Sequence, residues 1–221
     1  MQRRIIFSES EFYHLYNRGV EKREIFSDRN DRERFLRLLF LANSTNPFNF
    51  RDIEDKKLTE IDRGTPLVAI GSYCVMPNHF HILVREIVSG GTSLFMEKLS
   101  TGYSMYFNNR HVRVGPLFQG RFKAQHVDND NYLKYLFAYI HLNPIKLIDS
   151  HWKENEIQDK KRCEKYLAEY RYSSYSDYHH KNTKREEEGI LTTAEFPTYF
   201  TKKCDFDNLI EDWLNYNEEA R

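Results

Sequence analysis

The stretch Tyr73-Cys74-Val75-Met76-Pro77-Asn78-His79-Phe80-His81-Ile82-Leu83-Val84 reads as the end of one strand, a tight turn at Pro77-Asn78 and a returning strand from His79 to Arg85. Side chains alternate faces along a strand, so His79 and His81 point one way while Phe80, Ile82 and Val84 point the other. Two imidazoles on one face can hold a divalent cation while the opposite face seals a core. A lone pair of this kind is more often structural or incidental than a ligand pair. A nucleophile on a neighbouring element would make it an active site.

Outward from this hairpin, strands and helices alternate. Phe12 to Gly19 has the pattern of a first strand ending in a glycine turn. Asp28 to Ala42 is expected to be helical, with Phe35, Leu38, Leu39 and Ala42 on one stripe and Asp28 or Asn30 as cap. Residues 43–65 are polar and unperiodic, a long loop insertion free to move or to contact a partner. Leu67 to Val75 forms the strand that enters the hairpin, and Thr92 to Asn109 is a helix after the Ser89-Gly90-Gly91 break. Gly115 to Lys123 carries the glycine spacing of a loop leading into a strand near Val127. A helix follows from Asp128 to Leu142, ended by Pro144, which disfavours helical geometry in the residue before it. Further helices are expected at about Trp152 to Tyr170 and Asp207 to Asn217, with a charged linker at 182–189. Together these elements predict an α+β fold: an antiparallel sheet with helices packed on one face, plus a helical C-terminal extension. The expected division is a main domain over residues 1–181 and a charged linker with a helical tail over 182–221.

Composition limits the function classes. The 221 residues are 40% hydrophobic and 15% aromatic, which describes a globular chain with a sizeable core. No apolar run approaches the roughly 20 residues that span a bilayer, so no membrane partner is expected. The first residues are basic without a sustained apolar region, which predicts no secretory leader. Cys74, Cys163 and Cys204 are odd in number and widely spaced, which excludes a dense disulfide framework and a CxxC zinc knuckle. A reducing cytoplasm is the expected location.

The formal net charge of zero conceals an asymmetry. Lys98 to Val127 holds five basic residues (Lys98, Arg110, Arg113, Arg121, Lys123) and no Asp or Glu, whereas Asp205 to Arg221 holds six acidic residues against one arginine. Tyr103, Tyr106, Phe107, Phe118 and Phe122 interleave the basic segment, a mixture suited to phosphates and stacked bases. Charge alone is equally consistent with a solvated helix-and-hairpin face.

In the helix Asn131 to Leu142 the core stripe is Leu133, Leu136, Phe137 and Ile140, and Tyr132, Tyr139 and Asn143 lie beside it. Residues four apart sit one above the other, so Tyr139 and Asn143 can reach one site on a neighbouring sheet. A carboxamide oxygen is a reasonable third ligand for Mg²⁺ or Mn²⁺. Three blocks then stand in order: Met76-Pro77-Asn78-His79-Phe80-His81-Ile82-Leu83-Val84, Gly115-Pro116-Leu117-Phe118-Gln119-Gly120-Arg121-Phe122-Lys123, and Tyr139-Ile140-His141-Leu142-Asn143-Pro144. They resemble successive blocks of the transposase IS200-like family, the single-tyrosine HUH transposases, and most of all REP-associated tyrosine transposases. The resemblance extends from near Tyr13 to Tyr175, roughly three-quarters of the chain.

The resemblance implies a ferredoxin-like or RRM-like HUH core. It implies Tyr139 as nucleophile, His79, His81 and Asn143 as ligands of Mg²⁺ or Mn²⁺, and Arg18, Gln119, Arg121 and Lys123 as DNA contacts. Arg121 is equally readable as a structural ion pair. The implied activity is cleavage and joining of single-stranded DNA beside hairpin or REP-like elements, through a 5′-phosphotyrosine, by a monomer or a homodimer. No GxxxxGK[ST] phosphate loop occurs, in keeping with a covalent intermediate that needs no nucleotide cofactor. Tyr135 and Tyr139 are four apart, the spacing of two-tyrosine HUH replication enzymes, which leaves a replication-initiator-like nickase as an alternative. The other rivals are a catalytically silent nucleic-acid-binding relative and a metal-dependent hydrolase without a covalent intermediate. No chemical role is apparent for Tyr172-Ser173-Ser174-Tyr175, for which packing is the expectation.

Overall fold

Near-continuous burial along the second and third strands decides the architecture. In the computed structural model, which describes residues 5–53, 55–152, 157, 159–179, 185–198 and 203–214, β1 is Phe12–Arg18, β2 Val68–Met76, β3 His79–Glu86 and β4 Lys123–Val127. They form one antiparallel sheet in the order β2-β3-β1-β4. Helix α1 (Arg29–Ala42) joins β1 to β2, and α2 (Gly91–Arg110) joins β3 to β4. This is the βαββαβ arrangement of ferredoxin-like domains, as expected.

Asp28 caps α1 by accepting a hydrogen bond from the Asp31 amide at 3.0 Å. The same two carboxylates hold Arg110 at the end of α2. Helices α1 and α2 cover one face of the sheet, where Tyr13, Leu15, Tyr73, Val75, Phe80, Ile82 and Val84 join Phe35, Leu39, Phe95 and Leu99 in one core.

The sheet is covered on its other face too. Helix α3 (Asp130–Leu142) lays Leu133, Leu136, Phe137 and Ile140 against Cys74, Met76, Leu83 and Val127. The expectation of helices on one face therefore holds for the crossover helices and is corrected for α3 and the elements after it. The physical reason is legible in β2, all nine of whose residues are buried, because an apolar strand without polar alternation needs cover on both sides. A bulge between Ile70 and Ser72 shifts the register, so that Tyr73 and Val75 face α1 and α2 while Cys74 and Met76 face α3.

Beyond α3 the chain forms α4 (Lys160–Glu169), α5 (Tyr175–His179) and α6 (Lys203–Leu214). The helix expected from Trp152 begins only at Lys160, where Asp159 caps it; residues 153–156 and 158 lie outside the described residues. Phe206, Ile210 and Leu214 of α6 are buried in the same core as α3. The long loop at 43–65 holds two single 3₁₀ turns, and Leu58 pins it to the first core.

The Tyr172-Ser173-Ser174-Tyr175 segment closes the exposed edge of β2: the Val75 amide donates to the Tyr172 carbonyl, and the Ser174 amide donates to the Tyr73 carbonyl. His141 on α3 is fully buried. Its Nδ1 donates to the Phe137 carbonyl at 2.9 Å and its Nε2 accepts from the Ser174 hydroxyl at 2.8 Å. Thus the histidine inside the Tyr139 to Pro144 block fastens α3 to the segment that seals the sheet. Among the described residues no helix is long and apolar enough to cross a membrane.

Candidate active site

Antiparallel register assembles the site before any helix is added. His81 stands opposite Cys74 on β2 and Tyr16 on β1, and Tyr16 stands opposite Lys123 on β4. One residue row further on, His79 lies between Met76 and Arg18. Directly opposed residues share a face, so Arg18, Tyr16, His79, His81 and Lys123 all project to the side that α3 covers. A cleft of about 740 Å³ opens there, lined among others by Tyr16, Arg18, His79, His81, Gln119 and Lys123, with Lys22 and Lys146 at its edges.

The Gly115 to Lys123 block reaches the cleft because it is tied to the end of β1. The Val20 amide donates to the Leu117 carbonyl, the Gln119 amide to the Arg18 carbonyl, and Asn17 Nδ2 to the Gly120 carbonyl. Gly120 has φ of 77°, a left-handed conformation that a glycine adopts without strain. This fold-back places Gln119 Oε1 2.5 Å from Arg18 Nε. Arg18, Gln119 and Lys123 are therefore brought together at the cleft, whereas Arg121 is exposed and is not among the lining residues.

Helix α3 brings Tyr139 over the histidines. Its ring meets His81 edge-on at a centroid distance of 5.5 Å and His14 at 6.4 Å. Burial raises the Tyr139 pKa above the ordinary tyrosine value, and a hydrogen bond with the Asn143 side chain works against that rise. Asn143 also bonds with His79, whose pKa falls to about 4, chiefly through burial; Asn143 opposes the fall and the Lys146 and Arg18 charges add to it. One carboxamide thus links the tyrosine to the histidine pair. His79 Nδ1 lies 2.6 Å from Asn78 Oδ1, and the His79 and His81 rings stand 5.1 Å apart and nearly perpendicular.

Sequence reasoning missed His14. It is buried to 5% exposure, its Nε2 lies 2.8 Å from His81 Nδ1, and burial lowers its pKa to about 4. The signal was available, since alternation from Arg18 back through Tyr16 to His14 puts all three on one face. The basic segment divides. Arg110 pairs with Asp28 and Asp31, and Lys98 donates to the Ser44 carbonyl, while Tyr103, Phe107 and Phe118 are core residues. Those three aromatics are therefore structural and unavailable for stacking on bases, while Tyr106 and Phe122 are half-buried at the edge of the same core. The aromatic row on α3 is a different one: Tyr132, Tyr135 and Tyr139 stack at 6.0 Å intervals, and Trp213 of α6 abuts Tyr135.

Residues 58–143, which hold both histidines, Tyr139 and Asn143, match the family model described as Transposase IS200 like. The family resemblance is borne out over that segment. A solved REP-associated tyrosine transposase bound to a REP hairpin shares the fold at a TM-score of 0.50 and 12% identity, covering 85% of this chain and 90% of its own. A bacterial tRNA(His) guanylyltransferase-like protein in complex with ATP superposes at a TM-score of only 0.39 and 12% identity, over 75% of this chain and 74% of its own. No curated protein matches the chain in sequence. The IS200-like match supports a DNA-processing enzyme of the transposase type.

Proposed function

We propose that the protein nicks and rejoins single-stranded DNA at hairpin-associated sites through a covalent 5′-phosphotyrosine on Tyr139, with Mg²⁺ or Mn²⁺ held by His79, His81 and Asn143. The observation that carries this reading is the convergence of Tyr139 on the histidine face, with Asn143 bonded to both Tyr139 and His79.

The donor set fits a hard divalent cation. Asn143 is buried with its carboxamide bonded between Tyr139 and His79, so a neutral oxygen donor stands beside the histidine pair. Among the described residues no three His, Cys, Asp or Glu side chains converge on one point, and the polar group that joins the histidines is a carboxamide. Nδ1 of His79 and of His81 each meets a neighbour, so Nε2 is the atom each would offer. A bound cation would supply Lewis-acid polarisation of the scissile phosphate.

The chain's own groups supply the rest. Arg18, Lys22, Lys123 and Lys146 surround the cleft with positive charge for the phosphates of a strand. Gln119 fixes the Arg18 guanidinium from one side. Attack by the Tyr139 oxygen forms the P–O bond to tyrosine and breaks the bond to the 3′ oxygen. The proton lost by the phenol is balanced by the one the departing 3′ oxygen gains. Reversal by another 3′-hydroxyl joins strands. Arg121 is a peripheral DNA contact in this scheme. Residues 1–181 would act as the catalytic unit and 182–221 as its C-terminal addition, in a cytoplasmic monomer or homodimer.

A specific observation favours keeping the two-tyrosine alternative in view. The Tyr135 ring is 37% exposed and stacks on Tyr139 within 12° of parallel. Incubation with hairpin-bearing single-stranded oligonucleotides and Mn²⁺, followed by denaturing electrophoresis, tests the main reading. A protein–DNA adduct that Tyr139→Phe abolishes is the expected result. Cleavage that persists in Tyr139→Phe without an adduct would establish hydrolysis by water, and binding without cleavage in the wild type would mark a silent relative.

A further inference from the structure

The contact between His14 and His81 has a chemical consequence for the metal site. Two imidazole nitrogens 2.8 Å apart, His14 Nε2 and His81 Nδ1, share one hydrogen bond, so a single proton lies between them. If His14 carries that proton, neutral His81 has its own proton on Nε2 and cannot ligate through it. If His81 carries it on Nδ1, Nε2 presents a lone pair to the cleft. We infer that His14 is a positioning residue for the metal site, accepting the Nδ1 proton of His81 and holding that ligand in the tautomer that binds a divalent cation through Nε2.

This inference rests on the metal reading above and adds a residue that does not itself ligate. Metal-bound histidines usually donate their second ring nitrogen to a carboxylate, a carbonyl or water, which fixes both tautomer and ring orientation. Here an imidazole occupies that place. Its geometry is well fixed: the His14 and His81 rings stack at 5.0 Å and 24°, and Tyr16 stacks on His14 at 4.8 Å. Both histidines are buried, so water does not readily replace the acceptor. Plain packing would need only a flat apolar ring at position 14. The alignment of nitrogen on nitrogen is what distinguishes the two roles.

The test uses the full-length protein without DNA and follows Mn²⁺ binding from the spectrum of the free ion. His14→Phe keeps a flat ring and removes the acceptor, while His14→Gln restores an acceptor at similar reach. Phe is expected to weaken Mn²⁺ binding by about 10- to 100-fold, and Gln to recover most of that loss. A packing role demands the opposite order, because Phe suits a buried site better than Gln. Equal affinity in His14→Phe and wild type would overturn the inference. Should the Phe variant not fold, ¹⁵N spectra of the Mg²⁺-loaded wild type decide the matter: a proton on His81 Nδ1 supports it and a proton on Nε2 refutes it. Wild-type protein whose Mn²⁺ binding is insensitive to His81→Ala would bring down the metal reading itself.

Discussion

His141 offers a quantitative test of how the helix bearing Tyr139 is held. It is fully buried, hydrogen-bonded at both nitrogens to neutral partners, and ringed by Phe137, Tyr175, Tyr178 and Phe206. Burial lowers its pKa from 6.5 to about 3. An unfolded chain takes up a proton here below about pH 6.5, and the folded chain does not until about pH 3, so stability falls as the pH drops through that window. At about pH 4.5 the unfolded state is about two units below its pKa, and at about 1.4 kcal/mol per unit the loss from this one group is about 2.5 kcal/mol.

His141→Phe removes the titration while keeping an aromatic ring in an aromatic cage. At about pH 7 it should cost on the order of 1–2 kcal/mol, for the lost hydrogen bonds and a tighter fit. The Ser174 hydroxyl is not stranded, because the Tyr73 carbonyl lies 3.3 Å away. Urea unfolding of both proteins between about pH 7 and about pH 4.5 should therefore show the wild type losing about 2.5 kcal/mol more than the variant. His14 and His79 titrate alike in both proteins and cancel in the difference. Parallel curves would show that the folded protein protonates His141 freely, and the account of how it secures α3 would fail.

Two further expectations concern the cleft. Tyr135→Phe keeps the stack on Tyr139 and should leave both cleavage and strand transfer within a few-fold of wild type; loss of transfer with first cleavage intact, seen as accumulated adduct on denaturing gels, would favour the two-tyrosine scheme. Lys123→Ala should weaken single-stranded DNA binding uniformly across sequences and lower the dependence of log K on log salt by about 0.7; an unchanged slope in a salt titration of fluorescence anisotropy would remove Lys123 from the phosphate contacts.

Much of the site was legible because strand periodicity is a local property. His79 and His81 had to share a face, and Tyr139 and Asn143 had to stack on successive turns, wherever the chain went. Local periodicity does not say which face meets which helix. That is why the helices were expected on one side only, and why Tyr103, Phe107 and Phe118 were open to reading as a stacking surface when they are core. Pairing across strands is non-local as well. His14 is 67 residues from His81 in sequence, and only the β1–β3 register brings them together.

The residues and their phases along the chain determined by themselves the α+β class, the histidine pair, the tyrosine–asparagine pair and the block order that signals the IS200-like segment. Tertiary structure decided the second layer of helices, the exclusion of Arg121 from the cleft lining, the conversion of half the basic segment into ion pairs and core, and the recruitment of His14. The reason is physical. Which side a residue takes along a strand or helix is set within a few bonds of it, whereas what it faces is set by chain closure over tens of residues and by the burial that closure forces.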